Sequence, residues 1–312
     1  MAIRSLRIVH TSTGPRPRVS VVMPTYMRAH LLGGSIRTIL NQSFEDFELL
    51  IRDDCSVDAT EEVVRGIEDP RIKYHRNEAN LGMPQNLNQG IRVARGEYVV
   101  VCHDHDLYNW RLLAKMVSLL EEHPSVGMVH TGIALIDQEG RGTGIKYISP
   151  WPSISAGKDW LRFMLSSFHC PVCANAMVRR SVHEEVGLYD PDFGFVADVE
   201  MWMRISLAYD IGYIAQPLIQ VRERNAQVAT GKTLHWSILD AIIRIHQRYC
   251  RKFYNPPEEW LRRLGLKCRT EKYLLRHYLS CLKNGLTRER LEGKKYLARH
   301  GWLACWLVAA FL

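Results

Sequence analysis

The chain contains 312 residues, of which 46% are hydrophobic and 24% are charged, so it is long enough to bury a large core. This composition is that of a globular protein and excludes a disordered or fibrous one. The formal net charge is +8, but residues 233–312 carry 16 Lys and Arg against 6 Asp and Glu, and the remainder carries 25 against 27. The positive charge therefore belongs to the carboxyl-terminal part, and no nucleic-acid-binding motif accompanies it.

The first third of the chain alternates predicted strands and helices. A leader, residues 1–18, lacks the continuous apolar core of a signal peptide. Short apolar runs predict four strands, and helical spacing of apolar residues predicts three helices between them. The strands are at 19–23, 47–51, 71–75 and 98–101, and the helices are at 31–41, 61–67 and 87–93. This alternation predicts right-handed crossovers and a parallel, doubly wound sheet.

The fourth strand leads directly into charged residues. Residues 96–106 read GEYVVVCHDHD, with Asp104 and Asp106 at the carboxyl end of a run that is apolar on both faces. One or two carboxylates suffice to hold a divalent ion that also contacts phosphates. We therefore expect a metal–nucleotide site here, although such a tripeptide alone is also typical of a solvated turn. Strand alternation predicts that His103 and His105 point away from the aspartates.

The second part of the chain begins with a helix and an apolar strand and then becomes less regular. Predicted helices lie at 110–122, 160–168, 181–186 and 198–209, and predicted strands lie at 126–136 and 175–178. Residues 140–152, rich in Gly, Pro and Ser, are predicted to form a long loop of the kind that contacts substrates. This loop and residues 169–175 are expected to form an acceptor side. Cys170 and Cys173 have no second pair to complete a zinc site, so packing is the better interpretation.

Residues 233–312 are predicted to be basic and mostly helical, with helices at 236–254, 258–264, 271–283 and 288–312. Their helices suit an anionic membrane surface or a partner groove, or pack on the preceding domain with a solvated basic side. The last apolar stretch, 302–312, has about half of the roughly 20 residues that a spanning helix needs. Eight scattered cysteines favour a reducing compartment. We expect a cytoplasmic protein, peripheral at most to the inner membrane surface.

Polar residues follow three of the predicted strands, near Pro24, Asp54 and Asp104. The carboxyl ends of neighbouring parallel strands meet at one edge of a sheet, where nucleotides bind. There, Asp54 would accept a hydrogen bond from a base, Thr25 and Arg28 would contact phosphate or base, and Asp106 would hold the metal. Each residue alone is as readily explained by a capped turn or a surface ion pair, and only their joint placement favours a site.

The chain resembles the family 2 glycosyltransferases, which have the GT-A fold. The resemblance covers roughly residues 18–230 and is carried by VSVVMPTYMR, FELLIRDDCSVDAT, NEANLGMPQNLNQGI, ARGEYVVVCHDHD and VRRSVHEEVGLYDPDFGFVADVEMWMRI. It implies an α/β fold, with a Rossmann-like nucleotide-binding half at 19–106, an acceptor-binding half at 107–232 and a helical appendage at 233–312. It also implies a nucleotide-diphosphate-sugar donor, a Mn²⁺ or Mg²⁺ ion and transfer with inversion to a hydroxyl of a glycan, lipid or small molecule.

The resemblance also assigns roles to individual residues. Asp54 would bind the base, uracil in many relatives; Asp104 would bind the ribose or the sugar; and Asp106 would bind the metal. The nucleotide pocket would consist of Pro24, Thr25, Tyr26, Arg28, Asp54, Asn80, Gly82 and Asp104.

In the second half, Asp198 occupies the position of the catalytic aspartate, which removes the proton from the acceptor hydroxyl. Glu200 is the second candidate for this base, and Trp202 is a candidate acceptor contact. A cap or an ion pair with Arg204 is the non-catalytic interpretation of Asp198.

The sequence departs from the family pattern at three places, one of which is the absence of the basic residue often found near Leu87. Ala197 stands where relatives often have Glu before the catalytic aspartate. Arg224 stands where many have a metal-binding His, so Arg222 and Arg224 are candidates for contacting the diphosphate directly. These departures leave open a non-catalytic nucleotide-sugar-binding partner, and paired aspartates on a doubly wound sheet also leave open a sugar-nucleotide nucleotidyltransferase.

Overall fold

A computed structural model describes residues 16–167, 170–172, 175–223 and 236–255. The chain divides into two compact units, one comprising Met1–Met164 and His169–Glu223 and the other comprising Leu165–Phe168 and Arg224–Leu312. The predicted helices at 258–264, 271–283 and 288–312 lie outside the described residues, as do Arg224, His169 and Cys173.

The first part of the sheet follows the predicted alternation of strands and helices. Its elements are β1 (Val19–Thr25), α1 (Ala29–Leu40), β2 (Phe47–Asp53), α2 (Thr60–Arg65), β3 (Ile72–Arg76), α3 (Met83–Val93) and β4 (Tyr98–Val101). Strand β1 pairs in parallel with β2 and β4, and β2 pairs in parallel with β3. The predicted doubly wound arrangement is therefore confirmed in this half.

The second part adds strands of both directions. Its elements are β5 (Leu107–Tyr108), α4 (Leu112–Glu122), β6 (Val126–Ile136), β7 (Gly142–Tyr147), β8 (Ile154–Ser155), α5 (Gly157–Ser167), β9 (Ala176–Arg179), α6 (Arg180–Val186), a 3₁₀ helix (Pro191–Val196), α7 (Ala197–Ser206) and β10 (Asp210–Arg222). Helix α8 (Trp236–Phe253) is the described part of the second unit. It matches the helix predicted over 236–254. In the part of the chain that the structure describes, no helix has the length and apolarity to cross a bilayer.

The ten strands of the described residues belong to one sheet, in the order β3-β2-β1-β4-β9-β6-β10-β5, with β7 on β6 and β8 on β10. Strand β9 lies antiparallel between β4 and β6, and β6 pairs in parallel with β10. The α/β class and the GT-A architecture expected from the sequence are therefore confirmed. The antiparallel strand in the middle joins the two parallel groups, so that β4, β6 and β10 all end at one edge.

The structure corrects three boundaries. Residues 140–152 are not wholly a loop, because β7 forms an exposed hairpin with β6 that lacks the apolar alternation of a buried strand. Strand β10 was not predicted because Pro217 and two register shifts beside it interrupt its pattern. Strand β1 continues through Pro24 to Thr25. Since β4 pairs with β1 only as far as Val22, Pro24 lies at a local edge where proline is tolerated.

Both faces of the central strands are buried, which explains their continuous apolar runs. On one face, Val19, Val21 and Met23 belong to the main hydrophobic cluster, together with residues of α1 and α4. On the other face, α3 lies directly against β1. A Cβ atom placed on Gly90 of α3 would lie 2.4 Å from Cγ1 of Val22 and 3.1 Å from Cγ of Arg52. This helix therefore approaches the sheet at a distance that only glycine permits.

We expect Gly90→Ala to lower the free energy of unfolding by about 1 to 3 kcal/mol, because the branched side chain of Val22 cannot move away without displacing the helix. The matched control is Gly34→Ala in α1, where the nearest atom would be 3.8 Å away. There, alanine should raise helix stability by about 0.5 to 1 kcal/mol. Thermal denaturation of both variants measures the difference. Equal melting temperatures for Gly90→Ala and the wild type would contradict the close packing.

Candidate active site

Asp54 connects the end of β2 to the loop before α3. Its backbone N–H donates to the carbonyl of Thr25, 2.9 Å away. Its carboxylate accepts hydrogen bonds from the Nδ2 of Asn77 at 2.9 Å and from the backbone N–H groups of Leu81 at 2.8 Å and Gly82 at 2.9 Å. An ionised carboxylate has about four acceptor positions. Asp54 therefore holds three loops together and retains about one position for a ligand.

The loop after β1 is fixed to the loop after β2. The backbone N–H of Met27 donates to Oγ of Ser56 at 2.8 Å, and that of Ala29 donates to Oδ2 of Asp58 at 3.1 Å. Met27 has φ +55°, which turns the chain sharply.

This turn leaves the predicted nucleotide contacts in different environments. Pro24 is partly buried, Tyr26 is 49% exposed and Arg28, just before α1, is half-buried. Thr25 is buried, and its hydroxyl has no hydrogen-bond partner in the described part of the chain.

The loop before α3 completes this rim. Asn80 is exposed, and its Oδ1 accepts from the backbone N–H of Gly82 at 3.0 Å. Gly82 has φ +80° and lies at the amino terminus of α3. The residues predicted to bind a nucleotide at 24–28, 54 and 80–82 thus lie on three connected loops at one edge of the sheet.

Asp106 is fully buried in the turn after β4. Its Oδ1 accepts from the backbone N–H of Arg222 at 3.0 Å, and its Oδ2 lies 3.3 Å from Nδ1 of His103. Its own carbonyl accepts from Oγ of Ser35 at 2.8 Å. Burial alone would raise the pKa of Asp106, but the hydrogen bond and charge of His103, with His105 and the Arg222 N–H, hold this pKa below its usual value.

The two histidines of this turn face the aspartates. Nδ1 of His105 lies 2.8 Å from Oδ1 of Asp104, and its Nε2 lies 3.9 Å from Oδ1 of Asp106. The rings of His103 and His105 are parallel, with centroids 5.5 Å apart. The prediction that the histidines point away is wrong because β4 ends at Val101, so that the two-residue period of a strand does not extend to position 103.

Three of these residues, His103, His105 and Asp106, place metal-ligating atoms within 4.8 Å of one another. Asp104 is buried and binds His105. Sequence reasoning singled out the two aspartates and missed this cluster, for which the only signal was the interleaved His-Asp-His-Asp order.

Arg222, at the end of β10, fixes the same turn from the other half of the sheet. Its Nε donates to the carbonyl of His105 at 2.9 Å, and its Nη1 donates to the carbonyls of Asp137 at 2.9 Å and Gln138 at 2.6 Å. These donors hold loops together, so the diphosphate contact predicted for Arg222 is left to its remaining N–H groups.

Asp198 lies in the first turn of α7 and is partly buried. Burial raises its pKa, against the opposing effects of the Val199 N–H at 2.8 Å and the charge of His103. Asp198 and His103 line one small cavity of about 40 Å³. A cavity of this size accommodates a group the size of a water molecule or hydroxyl but not a sugar ring. The predicted base and the cluster after β4 therefore meet in one cavity.

Glu200 and Trp202 have different surroundings from Asp198. Glu200 is buried, and its Oε2 accepts from Nη2 of Arg204 at 2.7 Å. The ion pair considered for Asp198 is thus formed by Glu200 instead. Trp202 lines the Asp198 cavity and packs edge-on against Tyr189, with ring centroids 6.2 Å apart.

A second, larger cavity of about 630 Å³ brings the predicted acceptor segments together. Its lining includes Lys146, Tyr147, Trp151, Phe163, Pro171 and Tyr213. Trp151 packs edge-on against Phe163, with centroids 5.0 Å apart, and the hydroxyl of Tyr213 accepts from the N–H of Ser149 at 2.7 Å. The cavity is predominantly apolar and aromatic, with a few polar groups, as small-molecule sites are.

Buried His130 lies between the two cavities. In the sheet it is opposite Ala176 of the Asp198 cavity and Tyr213 of the larger one. Residues directly opposite one another point to the same face. The His130 ring contacts the Tyr213 ring at 4.8 Å, and burial lowers the His130 pKa to about 4. Burial therefore keeps the His130 imidazole uncharged at neutral pH.

Comparisons with known proteins agree with this arrangement. The family model described as Glycosyl transferase family 2 matches residues 20–187. The protein EpsE of Bacillus subtilis (strain 168) is 30% identical over 254 residues, which cover 78% of this chain and 86% of EpsE. The GalNAc(5)-diNAcBac-PP-undecaprenol beta-1,3-glucosyltransferase of Campylobacter jejuni is 38% identical over 128 residues, 40% of each chain.

Solved structures share the fold at low identity. Staphylococcus aureus TarS 1-349 in complex with UDP superposes with a TM-score of 0.61 at 18% identity, covering 90% of this chain and 79% of that one. The mannosyltransferase PcManGT of Pyrobaculum calidifontis, in complex with GDP-Man and Mn²⁺, superposes with a TM-score of 0.55 at 20% identity, covering 95% and 79%. Together with the sheet order and the residues at its carboxyl edge, these matches show that the chain belongs to glycosyl transferase family 2 and has the GT-A fold.

Proposed function

We propose that this glycosyltransferase transfers a sugar from a nucleotide-diphosphate donor, a UDP-sugar, to an acceptor hydroxyl with inversion, and that Asp198 is the general base. The observation that carries the proposal is the shared cavity of Asp198 and His103. A base from the second half of the chain there meets the turn that follows the nucleotide-binding half.

The three connected loops at 24–28, 54–58 and 77–82 support the donor site. The N–H of a uracil ring matches the acceptor position that Asp54 retains, and the exposed ring of Tyr26 offers a surface for the base. The unpartnered hydroxyl of buried Thr25 would gain a hydrogen bond from the ligand, which offsets the cost of its burial. TarS has been crystallised with UDP and with UDP-GlcNAc.

A divalent cation fits beside this site. His103, His105 and Asp106 supply the donor atoms that would hold it. When bound, such an ion neutralises charge on the diphosphate that leaves with the nucleotide. Asp104 lies on the same turn and orients His105. In this proposal Asp104 also contacts the ribose or the sugar of the donor.

The acceptor hydroxyl enters the small cavity and gives its proton to Asp198 while its oxygen attacks the anomeric carbon from the face opposite the nucleotide. This single displacement inverts the configuration at that carbon. Because burial raises the pKa of Asp198, its carboxylate is a stronger base than an exposed aspartate. Trp202 and Tyr189 keep the surroundings of this carboxylate largely free of water.

The remainder of the acceptor occupies the larger cavity. Trp151 is held between Pro150 and Pro152 and braced by Phe163, so its indole ring is a rigid surface for the apolar face of an acceptor sugar.

The basic region 233–312 provides the contact with an anionic membrane surface or a partner, and the protein acts in the cytoplasm. The described part, α8, supports this with Arg244, Arg248, Arg251 and Lys252 along its length. Among the described residues, Cys55 and Cys102 are free thiols, which suits a reducing compartment. Family membership does not favour the nucleotidyltransferase or the non-catalytic binding partner.

Asp198→Asn should lower kcat/KM for sugar transfer by about 10²- to 10⁴-fold, because the amide cannot accept the proton. UDP-sugar affinity, measured calorimetrically, should stay within about twofold. An aspartate whose folded-state pKa is raised destabilises the fold at neutral pH, so Tm should be unchanged or higher. The control is Asp192→Asn, an exposed position before α7. Transfer by Asp198→Asn at more than half the wild-type rate would refute the assigned base.

The pH dependence of the wild type provides an independent test. Asp198 acts only when ionised, so kcat/KM should fall as the pH is lowered through its raised pKa. The acid limb should therefore lie above the value of about 3.9 that is usual for aspartate. A rate profile that stays flat down to pH 4 would show that no such group is required.

Trp151→Ala should reduce transfer to a glycan acceptor by about tenfold, equivalent to about 1.4 kcal/mol of lost binding. Hydrolysis of the UDP-sugar by water should change less than twofold, because the donor site is intact. Trp110→Ala is the matched control, since Trp110 is 50% exposed and lies outside both cavities. The acceptor assignment is wrong if transfer and hydrolysis fall together, or if Trp110→Ala lowers transfer as much as Trp151→Ala does.

A further inference from the structure

Arg52, one residue before the end of β2, is a buried cation outside the site described above. It is 8% exposed, and in the described part of the chain its Nε is enclosed and has no hydrogen-bond partner. Burial lowers its pKa, and no carboxylate of those residues raises it again. A buried charge without a partner costs free energy, which proteins normally recover through an ion pair or a bound ligand. The charge of Arg52 therefore requires an explanation.

Other arginines with restricted exposure have partners of the expected kind. Nη2 of Arg71 lies 2.7 Å from Oδ2 of Asp69, and Nη2 of Arg204 lies 2.7 Å from Oε2 of Glu200. Nε of Arg179 donates to the carbonyl of Val126 at 2.8 Å. Arg52 differs from these three residues because its guanidinium meets neither a carboxylate nor a carbonyl of the described chain.

The surroundings of Arg52 are cationic. His75 of β3 is directly opposite Arg52 in the parallel pairing, so both side chains point to the same face of the sheet. Burial and the charge of Arg52 lower the pKa of His75. Glu48, on the same face of β2, is already bound by Nζ of Lys73 at 2.6 Å and by Oγ of Ser20 at 2.7 Å. This part of the face therefore offers cationic and N–H groups without a free carboxylate to match them.

Arg52 is held in place and can be reached from one side. Its Cγ would lie 3.1 Å from a Cβ atom on Gly90 of α3, so the helix covers its aliphatic part. Its carbonyl accepts from Nδ2 of Asn86 at 2.8 Å. Strand β3 is the end strand in the sheet order, and His75 is exposed there. A small ligand therefore approaches from this edge, and a guanidinium that is already fixed loses little freedom when it binds.

The position beside Gly90 separates this place from the donor loops. Gly82 lies at the amino terminus of α3, and Gly90 is eight residues later, which corresponds to about 12 Å along a helix. Asn86 connects the two places, because its Oδ1 accepts from Nδ2 of Asn77, which also donates to Asp54. The side chain of Arg52 thus lies beside the middle of α3 and not among the residues that would contact the nucleotide.

We propose that Arg52 and His75 form a binding site for a phosphate group, separate from the donor site, on the face of the sheet that α3 covers. A guanidinium offers paired N–H groups that match two phosphate oxygens, and the imidazole adds a further donor. The ligand is a free phosphate ion or the phosphate ester of a small metabolite. The inference goes beyond the proposed function and does not depend on the transfer mechanism.

Calorimetric titration of the full chain, in phosphate-free buffer of low ionic strength, tests the site. Inorganic phosphate and a sugar phosphate are titrated separately, and the tighter of the two identifies the source of the phosphate group. Arg52→Met should weaken binding by about 10- to 100-fold, because charged hydrogen bonds are lost. His75→Ala should weaken it less. The proposal is overturned if neither ligand binds the wild type, or if Arg52→Met binds as tightly as the wild type.

Arg92→Met is the matched control, because it removes the same charge at an exposed position in the last turn of α3. An exposed charge contributes little to a site that it does not contact, so phosphate affinity should stay within about twofold of the wild type. An equal loss in Arg92→Met and Arg52→Met would mean that phosphate responds only to net charge, which contradicts a defined site.

Melting temperatures give a second readout. Without phosphate, Arg52→Met should melt at or above the temperature of the wild type, because it removes a buried charge that has no partner. Added phosphate should raise the melting temperature of the wild type and not that of the variant. An Arg52→Met variant that melts clearly below the wild type, or does not fold, would show that the guanidinium stabilises the protein without a ligand and would refute the inference.

The last titration separates this site from the donor site. Phosphate is titrated into the wild type in the presence of a saturating UDP-sugar, and its affinity should be unchanged. Loss of phosphate binding would place the phosphate in the donor site and overturn the proposal. A protein that binds phosphate through Arg52 but transfers no sugar would keep this inference and refute the transferase mechanism.

Discussion

A buried carboxylate needs hydrogen-bond donors, and Asp106 finds one nearby and one in a distant part of the chain. One is His103 on its own turn, and the other is the backbone N–H of Arg222 at the end of β10. Arg222 also binds the same turn through its side chain, because its guanidinium donates to the carbonyl of His105. Removing either partner would leave a buried charge uncompensated, at a cost of several kcal/mol. The ends of β4 and β10 are therefore fixed to one another, and the position of this edge of the sheet follows from this.

The same principle divides the acidic residues into two groups. The carboxylate of Asp54 accepts hydrogen bonds from backbone N–H groups of a loop, and the carboxylate of Glu200 accepts one from Arg204. Both carboxylates therefore bind mainly groups of the protein itself. Asp198 accepts one short-range backbone hydrogen bond and faces a cavity. A family pattern marks all of them as acidic positions, but only their surroundings distinguish a residue that holds the site from one that faces a ligand.

Strands that are buried on both faces could be predicted from the sequence. Strands β1, β2 and β4 are covered on both faces, so their apolar runs identify them without knowledge of their neighbours. Strand β7 is exposed along its whole length and the register of β10 shifts on both sides of Pro217, so neither strand has a regular apolar period in the sequence.

Side-chain directions in the site were less predictable. The histidines of the turn after β4 lie beyond the strand, where alternation no longer applies. The pairing of Glu200, and not Asp198, with Arg204 depends on the four-residue spacing along α7 and on the path of residues 186–188, whose carbonyls Arg204 also binds. The four-residue spacing is a local pattern that the sequence contains, whereas the contacts of Arg204 with the carbonyls of Val186 and Leu188 could not be predicted from it.

The central claim is that loops from both halves of the chain form one site. It is tested most directly by a crystal structure with Mn²⁺ and a UDP-sugar, in which anomalous scattering locates the ion. The account predicts the ion at His105 and Asp106, the base against the Asp54 loop, and the anomeric carbon facing Asp198. An ion or base in a different cavity, or an Asp198 carboxylate turned away from the sugar, would contradict it.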